Sequence, residues 1–451
     1  MTVVNSDPWT TLRDDIAGTL LLRNDTGFDA AVRARPFIAH DGVPTPAAVL
    51  RCRGAADVAA AVGVARRHGL PFAVRSGGHC AAGLSSTSGL VIDVSLMDTV
   101  EVDGDHVVVG GGVRLAGLVE ALAAHGRALP TGTCPTVGVS GLTLGGGWGM
   151  LSRQYGLTCD QLVRAEVVTA DGTVVVTDER DEPDLFWALR GGGAGGFGVV
   201  TSMTFRTLPA PRMTNFQYAW PLAAAAGVIA AWLDRAIDAP ARLCAEVGVY
   251  PDEVRIHGAM AGSEAETSDL LDRLCRGLAQ PMRVDVTELS YLDSARALAG
   301  AIDATDSSRH LYATSEFFDR VLPAEAIDAL LRRFASGPAG REIGFMPWGG
   351  GDHDVAPEAT AFPHRRARYV VHHIVVTPDA GADARDWVRD LRDLLHPYGT
   401  GGVYANFADP GLTGWERAYY GDNAARLRDV KRRYDPDGVF RTAQSVPPAE
   451  A

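Results

Sequence analysis

The sequence predicts an α+β fold in which a hairpin-rich mixed half precedes a sheet backed by helices. Three observations carry this. Stretches of period-2 alternation turn on Asp-Gly pairs, as hairpins do. Between them lie segments with apolar residues at helical spacing, ended by glycine. The sequence has 51 glycines in 451 residues, and much of that glycine falls into four clusters within the first half. Such hairpins are foreign to a purely parallel, doubly wound sheet.

In chain order, AADVAAAVGVARRHG reads as a helix ending at Gly69, and PFAVRSGGH as a strand running into a glycine turn. TVEVDGDHVVVGGG reads as a hairpin bent at Asp103-Gly104. RLAGLVEALAAHG places Leu115, Leu118, Val119 and Leu122 on one helical face, stopped by Gly126. RAEVVTADGTVVVT repeats the hairpin around Asp171-Gly172. At TLPAPRMT (207–214) prolines close a strand and the glycine clusters thin out. Helical EAETSDLLDRLCRGLA and EAIDALLRRFA then alternate with strands such as ARYVVHHIVVTP. WERAYYGDNAARLRDVKRRY reads as one long helix stopped by Asp435-Pro436-Asp437-Gly438. The expected organisation is a first domain over 1–210 (core about 43–210), a substrate domain over 211–400, and a segment 401–451 returning to the first.

A formal net charge of -13, with the acidic residues spread out, argues against a nucleic-acid partner. No apolar run is long enough to cross a bilayer, so no membrane association is expected. The start MTVVNSDPWTTLRDDIAGTL lacks a basic stretch followed by an apolar one, which makes a cytoplasmic location the expectation. Cysteines 52, 80, 134, 159, 244 and 275 form neither a CxxC pair nor a zinc-spaced cluster, so no metal site is expected. Lys431 is the one lysine against 41 arginines, a bias that suggests a GC-rich bacterial genome.

Glycine clusters RSGGHCAAG, VVGGGV, SGLTLGGGWGM and RGGGAGGFGVV let backbone approach a ligand closely and turn N–H groups towards phosphates. A long anionic cofactor with a pyrophosphate suits that pattern. Gly193–Gly198 matches GxGxxG literally, yet a helix-like DLFWALR precedes it and β-rich VVTSMTFRTL follows. No acid lies near 215–220, so the nicotinamide-Rossmann reading is rejected.

Seven motifs in order carry a resemblance to a known family. They are Arg75-Ser76-Gly77-Gly78-His79, Thr133-Cys134-Pro135-Thr136-Val137-Gly138, SGLTLGGGWGMLSRQYGLTCDQL, GGGAGGFGVVT, AFPHR, Tyr404-Ala405-Asn406-Phe407 and YDPDGVF. Together they resemble the flavin-linked oxidases related to the berberine bridge enzyme. The resemblance implies a PCMH-type (vanillyl-alcohol oxidase type) two-subdomain FAD-binding domain plus an α+β substrate domain with an antiparallel sheet. It implies FAD bonded at its 8α-methyl by His79 and at C6 by Cys134. Further flavin contacts would come from Arg75, Ser76, Gly77, Gly78, Val137, Gly138, Ser140, Gly141, Gly145, Gly146, Trp148, Gly198, Val200, Tyr404 and Asn406.

The implied reaction is hydride transfer from a C–H next to oxygen or nitrogen to flavin N5, with dioxygen as acceptor and hydrogen peroxide as product. Val137 stands where oxygen-reactive members tend to carry valine. Two tyrosines of the family are replaced here, by Trp148 and Phe407, and neither takes a proton. His373 is the expected base and Tyr404 the second candidate, with Trp148, His373 and Phe407 in the substrate cavity. Strand alternation sends His372 and His373 to opposite sheet faces, so at most one reaches the flavin. Tyr250, Tyr312 and Trp348 are possible lining residues, and His364, Arg365 and Arg366 supports of the sheet edge. The expected partners are dioxygen and a small-molecule substrate, a hydroxylated natural product or a sugar, acted on by a monomer or homodimer. Two alternatives stand beside this: a secondary-amine oxidase resembling the hydroxynicotine oxidases, and a flavin-bearing binding protein that has lost turnover.

Overall fold

The computed structural model describes residues 7–34, 43–193, 195–299, 309–349, 355–378 and 381–450. It is an α+β fold of three principal sheets. The first contains β1 (Thr19–Leu22), β2 (Ala48–Arg51), β3 (Phe72–Arg75) and β4 (Leu90–Asp93), in the order β1-β2-β4-β3. Here β2, β4 and β3 run parallel, and Val49, Leu50, Val91 and Ile92 are wholly buried. Helix Ala55–His68 covers one face, capped by left-handed Gly69, and helix Phe28–Val32 covers the other.

The second sheet is antiparallel. Strands β5 (Val100–Asp103) and β6 (His106–Gly110) form the first hairpin, and a short β7 (Arg127–Ala128) follows outside this sheet. Strands β8 (Leu162–Val168) and β9 (Val174–Thr177) form the second hairpin, and β10 (Val199–Arg206) joins the two in the order β5-β6-β10-β8-β9. Gly104 (φ 58°) and Gly172 (φ 85°) supply the left-handed turn positions. Strand β11 (Leu208–Pro209) pairs with β7 and leads into the third sheet.

The third sheet is fully antiparallel. Its strands are β12 (Met213–Pro221), β13 (Leu243–Val249), β14 (Glu253–Ala261), β15 (Arg283–Leu289), β16 (His310–Phe318), β17 (Arg341–Pro347) and β18 (Tyr369–Thr377). They lie in the order β15-β12-β14-β13-β17-β18-β16. One face packs Val247, Ile256, Phe345, Val371 and Val375 against helices Ala225–Arg235, Ala324–Ala335 and Ala382–Leu395. The opposite face looks towards the glycine-rich loops of the first half, and that cleft is the functional region.

The late segment differs from its sequence reading. It forms two helices, Trp415–Tyr420 and Ala424–Tyr434, and not one. Gly421 takes φ 49°, and Asn423 Nδ2 donates to the carbonyls of Pro357 (2.7 Å) and Thr360 (3.1 Å), which fixes the break. Beyond it, buried Lys431 pairs with Asp435 (2.6 Å) and donates to the carbonyls of Gly196 (2.6 Å) and Phe440 (2.8 Å). The sole lysine thus ties the C-terminal segment to a glycine loop of the cleft. No helix among the described residues is long and apolar enough to cross a membrane.

Arg153 locks the two sides of the cleft together. Its buried guanidinium donates to the carbonyls of Leu243 (2.5 Å), Ile237 (2.7 Å), Ala239 (3.1 Å) and Gly349 (3.0 Å). Arg153→Met keeps the apolar stem but strands those carbonyls. We expect it to cost about 3 kcal/mol, seen as a lower denaturation midpoint.

Candidate active site

Two loops build the cofactor wall. The turn after β3 carries Ser76, Gly77, Gly78 (φ 73°) and His79; the segment before helix Val139–Leu144 carries Cys134 to Gly138. They touch backbone to backbone. A Cβ on Gly77 would lie 2.3 Å from the Gly138 nitrogen, and one on Gly138 would lie 2.3 Å from Ser76 Oγ. This contact sets His79 beside Thr136, with Nε2 2.8 Å from Thr136 Oγ1, and Cys134 Sγ lies 3.8 Å from the same oxygen. Burial and the Arg114 charge lower the His79 imidazole to about 4, leaving it neutral at physiological pH.

These loops border a cavity of about 1140 Å³. Of the expected flavin contacts, Ser76, Gly77, Gly78, His79, Cys134, Val137, Gly138, Ser140, Gly141, Trp148, Gly198, Val200, Tyr404 and Asn406 line it, and Phe407 joins them. Three expected contacts do not. Arg75 is buried and donates to the Ala31 carbonyl (2.6 Å). Gly145 packs under Asn406 and Gly146 under the Phe362 ring, so their missing side chains make room for neighbours and not for ligand.

The expected base also moves. His373 lies fully buried in the odd register of β18 with Val371 and Val375, the residues that face the helices. Neither of its ring nitrogens has a hydrogen-bond partner among the described residues. It is His372 that faces the cavity, stacked on Phe407 with centroids 3.9 Å apart and 3° between planes. Burial lowers His372 to about 3, which makes it a weak base. Tyr404 is in the cavity wall, but its hydroxyl oxygen accepts from the N–H groups of Gly147 (3.0 Å) and Trp148 (3.1 Å) and from Asn406 Nδ2 (3.0 Å). Burial pushes that phenol up to about 12, and its role is to hold the Gly147-Trp148 turn.

The third sheet supplies what motif reading missed. β13 and β17 each carry Glu-X-Gly, as Glu246-Val247-Gly248 and Glu342-Ile343-Gly344, and the two glycines are register partners. They make a floor without side chains, half covered by the Tyr250 ring lying over Gly248. Around the floor stand Glu246, Glu342, Tyr250, Arg255, His257 and His372, all lining the cavity. Burial, with the Glu342 charge across the floor, raises Glu246 to about 8. Burial also raises Glu342, against a hydrogen bond from Tyr250. Arg255 lies 4.4 Å over the Tyr250 ring and pairs with Glu253. The signal for these carboxylates was a lone acid and a lone glycine inside otherwise apolar strands. Trp348 lies outside the lining but stacks on Trp148 (6.4 Å, 14°), and Tyr312 sits in the core on the helix-facing side. His364 bonds the Tyr419 carbonyl (3.0 Å), and Arg365 grips Asp160 with two 2.7 Å bonds, so both brace the loop after 360.

Residues 46–178 match a family model described as an FAD binding domain, and residues 403–447 one described as berberine and berberine like. An FAD-linked oxidoreductase of Bacillus subtilis, YgaK, is 32% identical, with 96% of this chain and 97% of that protein covered. The chain belongs to the berberine bridge enzyme-like FAD-linked oxidoreductases. It is also 32% identical to (R)-6-hydroxynicotine oxidase of Paenarthrobacter nicotinovorans, covering 96% of this chain and 97% of that one. The solved structure of a chitooligosaccharide oxidase superposes with a TM-score of 0.88 at 26% identity, over 98% of this chain and all of that one.

FAD fits the residues present. In this berberine bridge enzyme-like cavity, glycines at Gly77, Gly138 and Gly198 bring bare backbone to the wall, and Ser76, Ser140 and Asn406 add polar groups. The opposite, polar floor leaves separate room for a substrate. Gly344→Ala tests the floor: its Cβ would meet nothing closer than 3.9 Å, so stability should hold while substrate affinity falls severalfold. Gly248→Ala instead drives a Cβ to 2.6 Å from the Tyr250 ring and should lower the melting temperature as well.

Proposed function

We propose that the protein oxidises a small molecule at a C–H next to nitrogen or oxygen, using FAD tethered through His79 and Cys134. The observation that carries this is one cavity with the two nucleophiles on one wall and the paired carboxylates on the other. FAD held by these residues would supply the hydride-accepting chemistry, with dioxygen as the final acceptor and hydrogen peroxide as the product. The chain does the rest. Neutral His79 and the Cys134 thiol hold the ring system at two points. Trp148, Met150 and Phe407 keep the apolar side of the cavity dry. Glu246 takes the proton from the substrate hydroxyl or amine, a task suited to a carboxylate at about 8 with no ion-pair partner among the described residues. This reading moves the base from His373 to Glu246.

A specific feature favours amines over the sugar or hydroxylated natural product of the initial expectation. Two facing carboxyl groups held largely out of water are costly; Arg255 acts on Glu342 alone, and a protonated amine over the floor would offset the charge of Glu246 as well. The relative that oxidises hydroxynicotine is consistent with this, and the chitooligosaccharide oxidase with the alternative.

Glu246→Gln is the test, with anaerobic flavin reduction measured on the best reductant from a panel of amines, alcohols and sugars. We expect a loss of about 100-fold or more. In the wild type, reduction should rise as pH passes upward through about 8, where Glu246 ionises, and the variant should lose that rise. The same raised carboxyl gives a stability signature. Its contribution is complete below the ordinary 4.5 and is lost as pH rises to about 8, so the variant should melt higher than wild type above neutral pH. Reduction within twofold of wild type would remove Glu246 as base, and no reduction by any panel member would favour the binding-protein reading.

A further inference from the structure

Thr136 sits where the two tethering side chains meet. Its hydroxyl oxygen is 2.8 Å from His79 Nε2 and 3.8 Å from Cys134 Sγ. A threonine hydroxyl has one donor and two lone pairs, so it can accept from an imidazole N–H while donating to sulfur. That pairing holds the His79 ring in one orientation and fixes the direction of the Cys134 sulfur. The position is enforced by backbone: a Cβ on Gly77 would lie 2.8 Å from the Thr136 carbonyl oxygen, so the His79 loop rests directly on this residue.

We infer that Thr136 is a positioning residue for covalent flavin attachment, coupling His79 and Cys134 so that both bonds form on one ring system. The inference rests on the double tether proposed above. Each attachment breaks one flavin C–H bond and the N–H or S–H bond of the nucleophile, and forms one C–N or C–S bond. Two protons and two electrons leave, and dioxygen accepts them as hydrogen peroxide. Thr136 itself gains and loses nothing. Its part is to keep both nucleophiles aimed while the bonds form.

The experiment compares wild type, Thr136→Val and Thr136→Ser, each purified with its flavin. The readout is the fraction of flavin that stays on acid-precipitated protein, with mass analysis of the peptides that carry it. Valine keeps the shape and removes the hydroxyl; serine restores the hydroxyl. We expect the doubly linked fraction to fall at least tenfold in Thr136→Val, with FAD still bound, and to recover in Thr136→Ser. A purely structural role would follow the melting temperature and would not be rescued by the smaller serine. Wild-type levels of double linkage in Thr136→Val would overturn the inference while leaving the tethers intact. A loss in Thr136→Val without recovery in Thr136→Ser would overturn it too. Absence of double linkage in the wild type itself would instead remove the tether reading on which it stands.

Discussion

The structure depends on one close approach, the meeting of the Gly77 and Gly138 backbones. With any side chain at either position the loops would be forced apart, since Cβ atoms there would fall 2.3 Å from heavy atoms of the other loop. That contact joins the first sheet, through the turn after β3, to the helix Val139–Leu144 that packs with the second. It also decides the chemistry, because it sets His79 and Cys134 around one threonine hydroxyl. Other restraints serve the same wall. Lys431 holds the loop at Gly196, Tyr404 holds the Gly147-Trp148 turn, and Arg153 fixes the distance to the third sheet.

The third sheet divides its labour by face, as period-2 geometry requires. Odd positions of β13, β17 and β18 pack the helices, and even positions meet the cavity. A register slip of one residue exchanges core for site. That is the difference between His373 and His372. It is also why Glu246 and Glu342 are held against the cost of burial, for each strand is pinned by large apolar neighbours on its other face. The protein keeps two carboxyl groups that are costly to ionise at the place where a substrate would arrive.

Much of this was legible in the residues. The hairpins at Gly104 and Gly172, the helix ending at Gly69 and the rejection of a dinucleotide turn at Gly193–Gly198 all rest on local conformational rules, and the structure shows each element. The cofactor wall was legible because contiguous motifs encode it. What escaped was long-range. The break at Gly421 depends on Asn423 reaching carbonyls more than sixty residues away in sequence. Arg75 and Gly146 lie inside matching motifs, yet Arg75 bonds the Ala31 carbonyl, Gly146 packs under the Phe362 ring, and neither lines the cavity. The Glu-X-Gly floor is formed by two strands about a hundred residues apart, and only their pairing makes it visible.

The central claim is that His79 and Cys134 act on a single flavin. Acid precipitation of the wild-type protein, followed by proteolysis and mass analysis of the yellow peptides, tests it most directly. The account predicts one species in which flavin joins the His79 peptide to the Cys134 peptide. Free FAD in the supernatant over a colourless pellet would contradict it.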